Sequence, residues 1–418
     1  MSEINDRILF LTRWAQPGSP DHWDNGLARP EDLIDHDVYR VTYICDAGGR
    51  LGVPDAAAGM HVVDDLTDVN AVTGLVGRLI QDDGPFAHVI ALSEFLLDIA
   101  AEVRQRYRIG GPTPAAVTRF RDKTVMKGIL AESGIRVPRW SSGLSTDQLL
   151  AAAEELGYPV IFKPVRGASS QGVRKAGSAA ELRALCLVPD LSQYEVEEYV
   201  TGDVLHTDGV VDAVGECRFM VTSRYVGNCL AFEHGEPLGS VILTDESRVG
   251  ECHEFARACL AALGLRRSAF HLEYFDTGKE LVFLEVGARV PGADVPYVVR
   301  DVTGVNLFEL WLDVLLDNPV PPPLEWPTGS GGSGGWLMIP RPRPLPRKVL
   351  SATPLMGKVP FLYRELVPSS GDLLVDHPGS YASLQGGRFL FRGGTEGEIW
   401  DAVMKAQVAY HLSTEPTA

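Results

Sequence analysis

Two short apolar runs, Phe270–Phe275 and Leu281–Val286, flank the turn-forming cluster Asp276-Thr277-Gly278-Lys279. Near the end of each stands a glutamate, Glu273 in the first run and Glu285 in the second. Strand-like runs separated by turn formers specify a β-hairpin. Side chains alternate between the faces of a strand, so an odd-length connection places His271, Glu273 and Glu285 on one face. Two carboxylates held there, with Arg289 just beyond, have the composition of a site for a divalent cation that carries phosphate. The same residues also suit a solvated hairpin with ordinary surface glutamates, and the rest of the chain has to decide between the two.

With 418 residues the chain is too long for one small core and should divide into two to four domains. The formal net charge of −17 argues against nucleic acid or an anionic membrane surface as a partner, although it leaves room for a local basic pocket. The six cysteines (Cys45, Cys186, Cys217, Cys229, Cys252, Cys259) are scattered without a CxxC pair, as expected of buried free thiols in a reducing compartment. The first residues, MSEINDRILFLTRW, do not read as a signal peptide, and no apolar stretch approaches the length of a membrane span. A cytoplasmic protein is the expectation.

The stretches 7–12, 38–45 and 88–93 have the near-continuous apolar character of buried parallel strands, and they alternate with helical spacing over Val72–Ile80 and Leu96–Tyr107. Residues 1–112 are therefore expected to form an open α/β domain closed by Gly110-Gly111-Pro112. Beyond a helix that starts after Thr113, residues 157–176 read as strand, small-residue loop, strand. Ser178 and Glu181 then form a candidate capping box. Strand 194–200 and a helix over Glu251–Leu263, stopped by Gly264, lead to the hairpin. Residues 317–335 are rich in Pro, Gly and Ser and read as a linker, with a small, mostly β domain over 336–418 that ends in a helix (395–411). Gly329, Gly331 and Gly334 match GxGxxG literally, but they follow prolines and precede a strand-like run, so they do not signal a dinucleotide site.

Three upstream pieces carry chemistry. Lys163 closes an apolar strand and opens the loop Pro164–Gly172. The small residues Gly167, Ala168, Ser169, Ser170 and Gly172 let backbone N–H groups approach a phosphate, with the lysine as point charge. Lys123 lies among several cations early in its helix. Glu197, Glu198, Tyr199 and Val200 end a strand and run into Gly202, where an exposed backbone edge can pair with adenine. Read singly, these are also a surface loop, a solvated helix face and an ordinary strand.

The segments ALSEFLLDIAAEVRQRYRIGGP, RDKTVMKGILAESGIRVP, GYPVIFKPVRGASSQGV, VEEYVTGDVLHTDGVV, and FHLEYF followed by ELVFLEVGARVPG occur in the order and spacing of the ATP-grasp superfamily. Over residues 85 to 315 the chain resembles its carboxylate–amine ligases, relatives of biotin carboxylase and D-alanine–D-alanine ligase. The resemblance implies an ATP-grasp α+β domain over 113–316 with a lid over about 157–200, preceded by the α/β domain. It assigns Lys123 and Lys163 to the nucleotide phosphates, and the loop holding Ser169, Ser170 and Gly172 to closure over them. Glu197 through Val200 would form the adenine hinge and Asp203 would contact the ribose. Glu273 and Glu285 would be ligands to Mg²⁺, and Arg289 the arginine that steadies the transferred group.

The chain departs from the family pattern at four places. Gly287 replaces a frequent metal-binding Asn, Asp203-Val204 replaces the x-Glu that usually follows the glycine, Glu198 stands where Lys is common, and Ala293 replaces a glycine. The implied cofactors are ATP with one or two Mg²⁺ ions, or Mn²⁺. The implied activity is amide or dipeptide formation from a small carboxylate and an amine, with amino acids as substrates, by way of an acyl phosphate; a homodimer is compatible with it. A carboxylase activating bicarbonate, or an ATP-binding module without catalysis, are the alternatives.

Overall fold

The computed structural model describes residues 6–14, 26–143, 145–167, 170–327, 331–375 and 385–417. It begins with a four-stranded parallel sheet of β1 (Arg7–Thr12), β2 (Arg40–Cys45), β3 (Gly59–Val62) and β4 (His88–Ala91), ordered β3-β2-β1-β4. Every residue of β1 is buried, as its unbroken apolar run requires of a central parallel strand. Helices Val69–Asp83 and Leu97–Tyr107 cover the sheet, each within a few residues of the expected bounds. The strand order reverses between β1 and β4, so the crevice at their carboxyl ends is the natural place for a ligand. Ser93 and Glu94 follow β4 at that end.

A second sheet, β5 (Trp140–Ser142), β6 (Val160–Pro164), β7 (Arg174–Ala176) and β8 (Tyr194–Glu198), is antiparallel and ordered β5-β8-β6-β7. Phe162 and Val196 from its strands pack with Leu149 and Leu182 from helices Thr146–Leu156 and Ala179–Leu185. Ser178 caps the second helix by accepting from the N–H of Glu181 at 3.3 Å. The Glu181 carboxylate accepts from Gly177 at 2.9 Å, one residue before the cap, so the expected capping box is only half formed.

Among the described residues the largest sheet has nine strands. It runs β13 (Leu281–Gly287), β12 (Ser268–Asp276), β9 (Asp203–Val211), β10 (Cys217–Val226), β11 (Leu238–Ile242), then Ser333–Pro340, Gln385–Gly394 and Leu362–Leu366. The C-terminal strands thus continue the sheet of the preceding lobe, since Ser333–Pro340 pairs with β11. Within the proline-rich 317–335 stretch, Leu324–Glu325 adds a short parallel pairing to β10. Gly331 and Gly334 lead into a strand, as no dinucleotide loop does, and Gly329 lies outside the described residues.

One face of this sheet sends Phe270, Leu272 and Tyr274 into helix Glu246–Leu263, against Cys252, Ala256 and Leu260. That helix ends at Gly264, which sits in the left-handed region at φ 74. Alternation leaves His271, Glu273 and their cross-strand neighbours on the opposite face.

Candidate functional site

The hairpin joins Asp276 to Leu281 through Thr277–Glu280, an even-length connection, not the odd one expected. Continued without a break, that register would set Glu273 opposite Leu284 and turn the two carboxylates to different faces. A β-bulge between Glu273 and Tyr274 restores them: beyond it Glu273 pairs directly with Glu285, and His271 with Gly287. The extra residue, Leu284, shares a cavity of ≈ 280 Å³ with both glutamates, where the lobe of β9–β13 meets the β5–β8 sheet.

Lys123, Lys163, Ser170, Glu197, Glu198, Tyr199 and Val200 line the same cavity, so most of the residues singled out in sequence converge on it. Lys123 opens helix Lys123–Glu132, capped by Asp122, and its Nζ lies 3.1 Å from Glu285 and 3.3 Å from the carbonyl of Gly167. Ser170, at φ 55, and Gly172, at φ 74, shape the loop after β6, and a Cβ on Gly172 would stand 2.9 Å from Pro164. Ser169 lies outside the described residues.

Lys163 is almost fully buried and reaches Glu197 at 2.6 Å. Glu197 also receives Lys127 at 2.7 Å, and Lys127 in turn donates to Glu195 at 2.8 Å. The side chain of Glu197 therefore belongs to a buried two-lysine, two-carboxylate cluster, and its backbone lies inside the sheet, opposite Trp140 of β5 and Ile161 of β6. Burial pushes both carboxyls up. Two hydrogen-bonded lysines outweigh that at Glu197 and hold it below the usual range, whereas Glu195, with one close lysine and an unpartnered Oε2, stays above it. Glu198 turns outward to Arg136 at 2.8 Å and Arg139 at 3.3 Å, and Tyr199 lies under the Lys175 ammonium at 4.0 Å.

Asp203 is not among the residues lining the cavity. It opens β9 with its carboxylate 3.5 Å from Arg224, and alternation along the strand sends its neighbour Val204 into the cavity instead. The structure thus leaves Asp203 off the face that carries the other site residues.

Arg289 also stands beside the cavity, not in its lining. Its side chain lies across Gly287, where an added Cβ would come 3.3 Å from its Cγ, and its Nε donates to Glu94 at 2.5 Å. Arg121 binds the other oxygen of Glu94. Burial raises the Glu94 carboxyl, but the two guanidinium groups outweigh it and hold it below the ordinary value. Ala293, the position where the resemblance expects glycine, adopts a left-handed φ of 53.

Glu273 is nearly buried, yet it is held down at about 2. Burial alone would raise it, and His271 at 3.4 Å and the Tyr225 hydroxyl at 2.7 Å counter that. Lys127, Glu195, Glu94, Arg121 and Tyr225 escaped sequence reasoning. Two carried a local signal: Lys127 lies one helical turn after Lys123, and Glu195 shares a strand face with Glu197.

A sequence model of the family described as carbamoyl-phosphate synthase L chain, ATP binding domain, matches residues 122–206. The chain is similar to an L-arginine-specific L-amino acid ligase of Bacillus subtilis, 24% identical over 270 residues, which cover 61% of this chain and 63% of that protein. It is also similar to a D-alanine–D-alanine ligase of Anaplasma marginale, 39% identical over 203 residues, or 46% of this chain and 56% of the relative. The chain thus matches less than two thirds of the length of either curated relative. The crystal structure of an L-amino acid ligase from Bacillus licheniformis superposes over 98% of both chains with a TM-score of 0.71 at 19% identity, a likeness of fold. No helix among the described residues is long and apolar enough to cross a membrane.

Proposed function

We propose that this chain, which belongs to the ATP-grasp superfamily, is an ATP-dependent ligase that joins a carboxylate to an amine, with amino acids on both sides of the new bond. The observation that carries the reading is the bulge-enforced pairing of Glu273 with Glu285 beside Lys123, Lys163 and Arg289. Two adjacent carboxylates offer hard oxygen donors that suit Mg²⁺ or Mn²⁺, and Gly287 adds no third ligand from its position. Glu273 and Glu285 would hold the ion, which when bound neutralises charge on the nucleotide phosphates.

In the proposed reaction a substrate carboxylate oxygen takes the γ-phosphoryl group, and the bond to ADP breaks. The amine nitrogen then forms the amide as the acyl carbon–oxygen bond breaks and phosphate leaves with its electron pair; the amine loses its proton. Activation is needed because a free carboxylate is a poor acyl donor. The chain's own contribution is position and charge. Lys123 and Lys163 direct ammonium groups to the cavity from two different lobes. Tyr199 and Val200, just past the end of β8, would offer their backbone to the base. Arg289, fixed by Glu94, keeps a permanent positive charge at the far side of the glutamates, suited to a phosphoryl or carboxylate group.

The test is ATP-dependent phosphate release across single amino acids and their pairs, with hydroxylamine present to trap an acyl phosphate. Release that requires an amino-acid pair, with the hydroxamate forming on one partner, supports the ligase. Release with bicarbonate alone moves the assignment to a carboxylase. ATP binding without release under any of these conditions leaves a nucleotide-binding module.

A further inference from the structure

The sheet face that carries Glu273 continues inward as a closed polar cluster. Glu273 is opposite His206 of β9 as well as Glu285, and in the next row of that face His271 is opposite Asp208. Asp208 and His206 are fully buried. Oδ2 of Asp208 lies 2.6 Å from Nδ1 of His206, and Oδ1 lies 2.6 Å from Nδ1 of His271. With one oxygen for each ring, a single carboxylate fixes both imidazoles. His271 then presents Nε2 to Oε1 of Glu273 at 3.4 Å, and the Tyr225 hydroxyl from β10 donates to that same oxygen at 2.7 Å. Among the described residues no hydrogen bond reaches Oε2 of Glu273.

His206, Asp208 and His271 have the donor types of a metal centre, with ligand atoms within 4.8 Å of one another, and Nε2 of His206 is buried without a partner. Their separations point elsewhere. Two ligands on one tetrahedral ion, each about 2.1 Å from it, stand about 3.4 Å apart. The 2.6 Å contacts are those of charge-assisted N–H···O hydrogen bonds.

We infer that Asp208, His271 and Tyr225 are positioning residues that clamp Glu273 through Oε1 and leave Oε2 as the one oxygen it offers to the nucleotide's metal ion. The inference rests on the proposed role of Glu273 as a metal ligand. Its physical content is that a carboxylate with one oxygen held by the Tyr225 hydroxyl and faced by the His271 ring can neither rotate freely nor bind through both oxygens. Mg²⁺ and Mn²⁺ demand well-placed single oxygens, so the clamp sets metal affinity without touching the nucleotide.

The test is the binding of Mn²⁺ in the presence of ADP, followed by electron paramagnetic resonance of the free ion. ADP binding in EDTA serves as the control that the fold and the base pocket are intact. Tyr225→Phe, which keeps the ring, and Asp208→Asn are each expected to weaken Mn²⁺ binding roughly tenfold, the usual effect of losing a ligand's outer partner, with metal-free ADP binding unchanged. Glu273→Gln should lose the Mn²⁺ site outright, and full retention there overturns the metal assignment itself. If Glu273→Gln loses the metal while Tyr225→Phe and Asp208→Asn stay within about twofold of the wild type, the clamp is refuted. A transition metal that copurifies with nucleotide-free protein, lost in His206→Ala but kept in Glu273→Gln, also overturns it, because the cluster is then itself a metal site.

Discussion

Arg289, four residues past the second site glutamate, is anchored to Glu94 of the N-terminal domain, Nε to Oε2 at 2.5 Å. Arg121 holds the other oxygen, so one carboxylate at the carboxyl end of a parallel sheet sets an arginine that belongs to another lobe. The N-terminal domain therefore contributes to the site through the direction in which Arg289 points.

This pair fixes a pH dependence. The Glu94 carboxyl lies below its ordinary value of 4.5, because Arg289 and Arg121 outweigh burial. A depressed carboxyl contributes stability that is present above the unfolded value and is lost as pH falls through the folded one. Glu94→Gln is expected to cost about 3 kcal/mol at pH 6 to 7. That gap from the wild type should close progressively as pH drops below 4.5. Urea denaturation of both proteins at several pH values measures it, and a gap that does not change with pH rules the ion pair out as its source.

Glu285→Gln tests the metal assignment. The substitution keeps the size of the side chain and removes its charge, so Lys123 loses its ionic partner and the ion loses a ligand. ATP-dependent product formation should fall by about 10²-fold or more, as losing several kcal/mol of charge stabilisation requires. Product formation at the wild-type rate refutes the assignment.

What was legible in the sequence was local. β1 and the strand that carries Lys163 follow from periodicity, whereas the single helix read from Thr113 onward is two, Pro114–Thr118 and Lys123–Glu132, because Asp122 caps a new start. The bulge at Glu273 was not legible: the extra residue, Leu284, is on β13 while β12 keeps an unbroken register with β9, and nothing in the hairpin's own turn announces it. The even connection alone would have argued against the site. Tyr225 and Glu273 meet 48 residues apart and Lys127 and Glu195 meet 68 apart, so each looked like an ordinary strand or helix residue until the sheets were in register. Asp203 stands off the cavity face for the opposite reason. Strand alternation was readable, but which parity faced the cavity was not.

Gly287 is matched to Arg289. Asparagine there would restore the metal-binding amide of the family pattern, but its Cβ would stand 3.3 Å from Cγ of Arg289. Gly287→Asn is therefore expected to push the Arg289 side chain by a few tenths of an ångström and lower kcat for amino-acid-dependent phosphate release, by less than the about 10²-fold that a misplacement of about 1 Å costs. The KM for ATP should change little, since Arg289 does not line the nucleotide cavity. Steady-state kinetics separates the two constants, and an unchanged kcat would mean that both side chains fit.

Lys127 has no surface exposure and is not in the lining of the site cavity, yet binds both Glu195 and Glu197. With Lys163 the cluster has two positive and two negative charges and is neutral as a whole. Removing Lys127 leaves a buried excess of one negative charge and costs Glu195 its hydrogen-bonded cation, a loss of about 3–5 kcal/mol. Lys127→Met should therefore lower the urea midpoint without changing the slope. It should also draw Lys163 more tightly to Glu197 and away from phosphate, so that ATP binds more weakly. Adding Glu195→Gln removes the excess charge and should recover part of both losses, a non-additivity expected of residues in one network. A Lys127→Met protein as stable as the wild type, or a double variant no better than the single, would show that the cluster is not held together by charge.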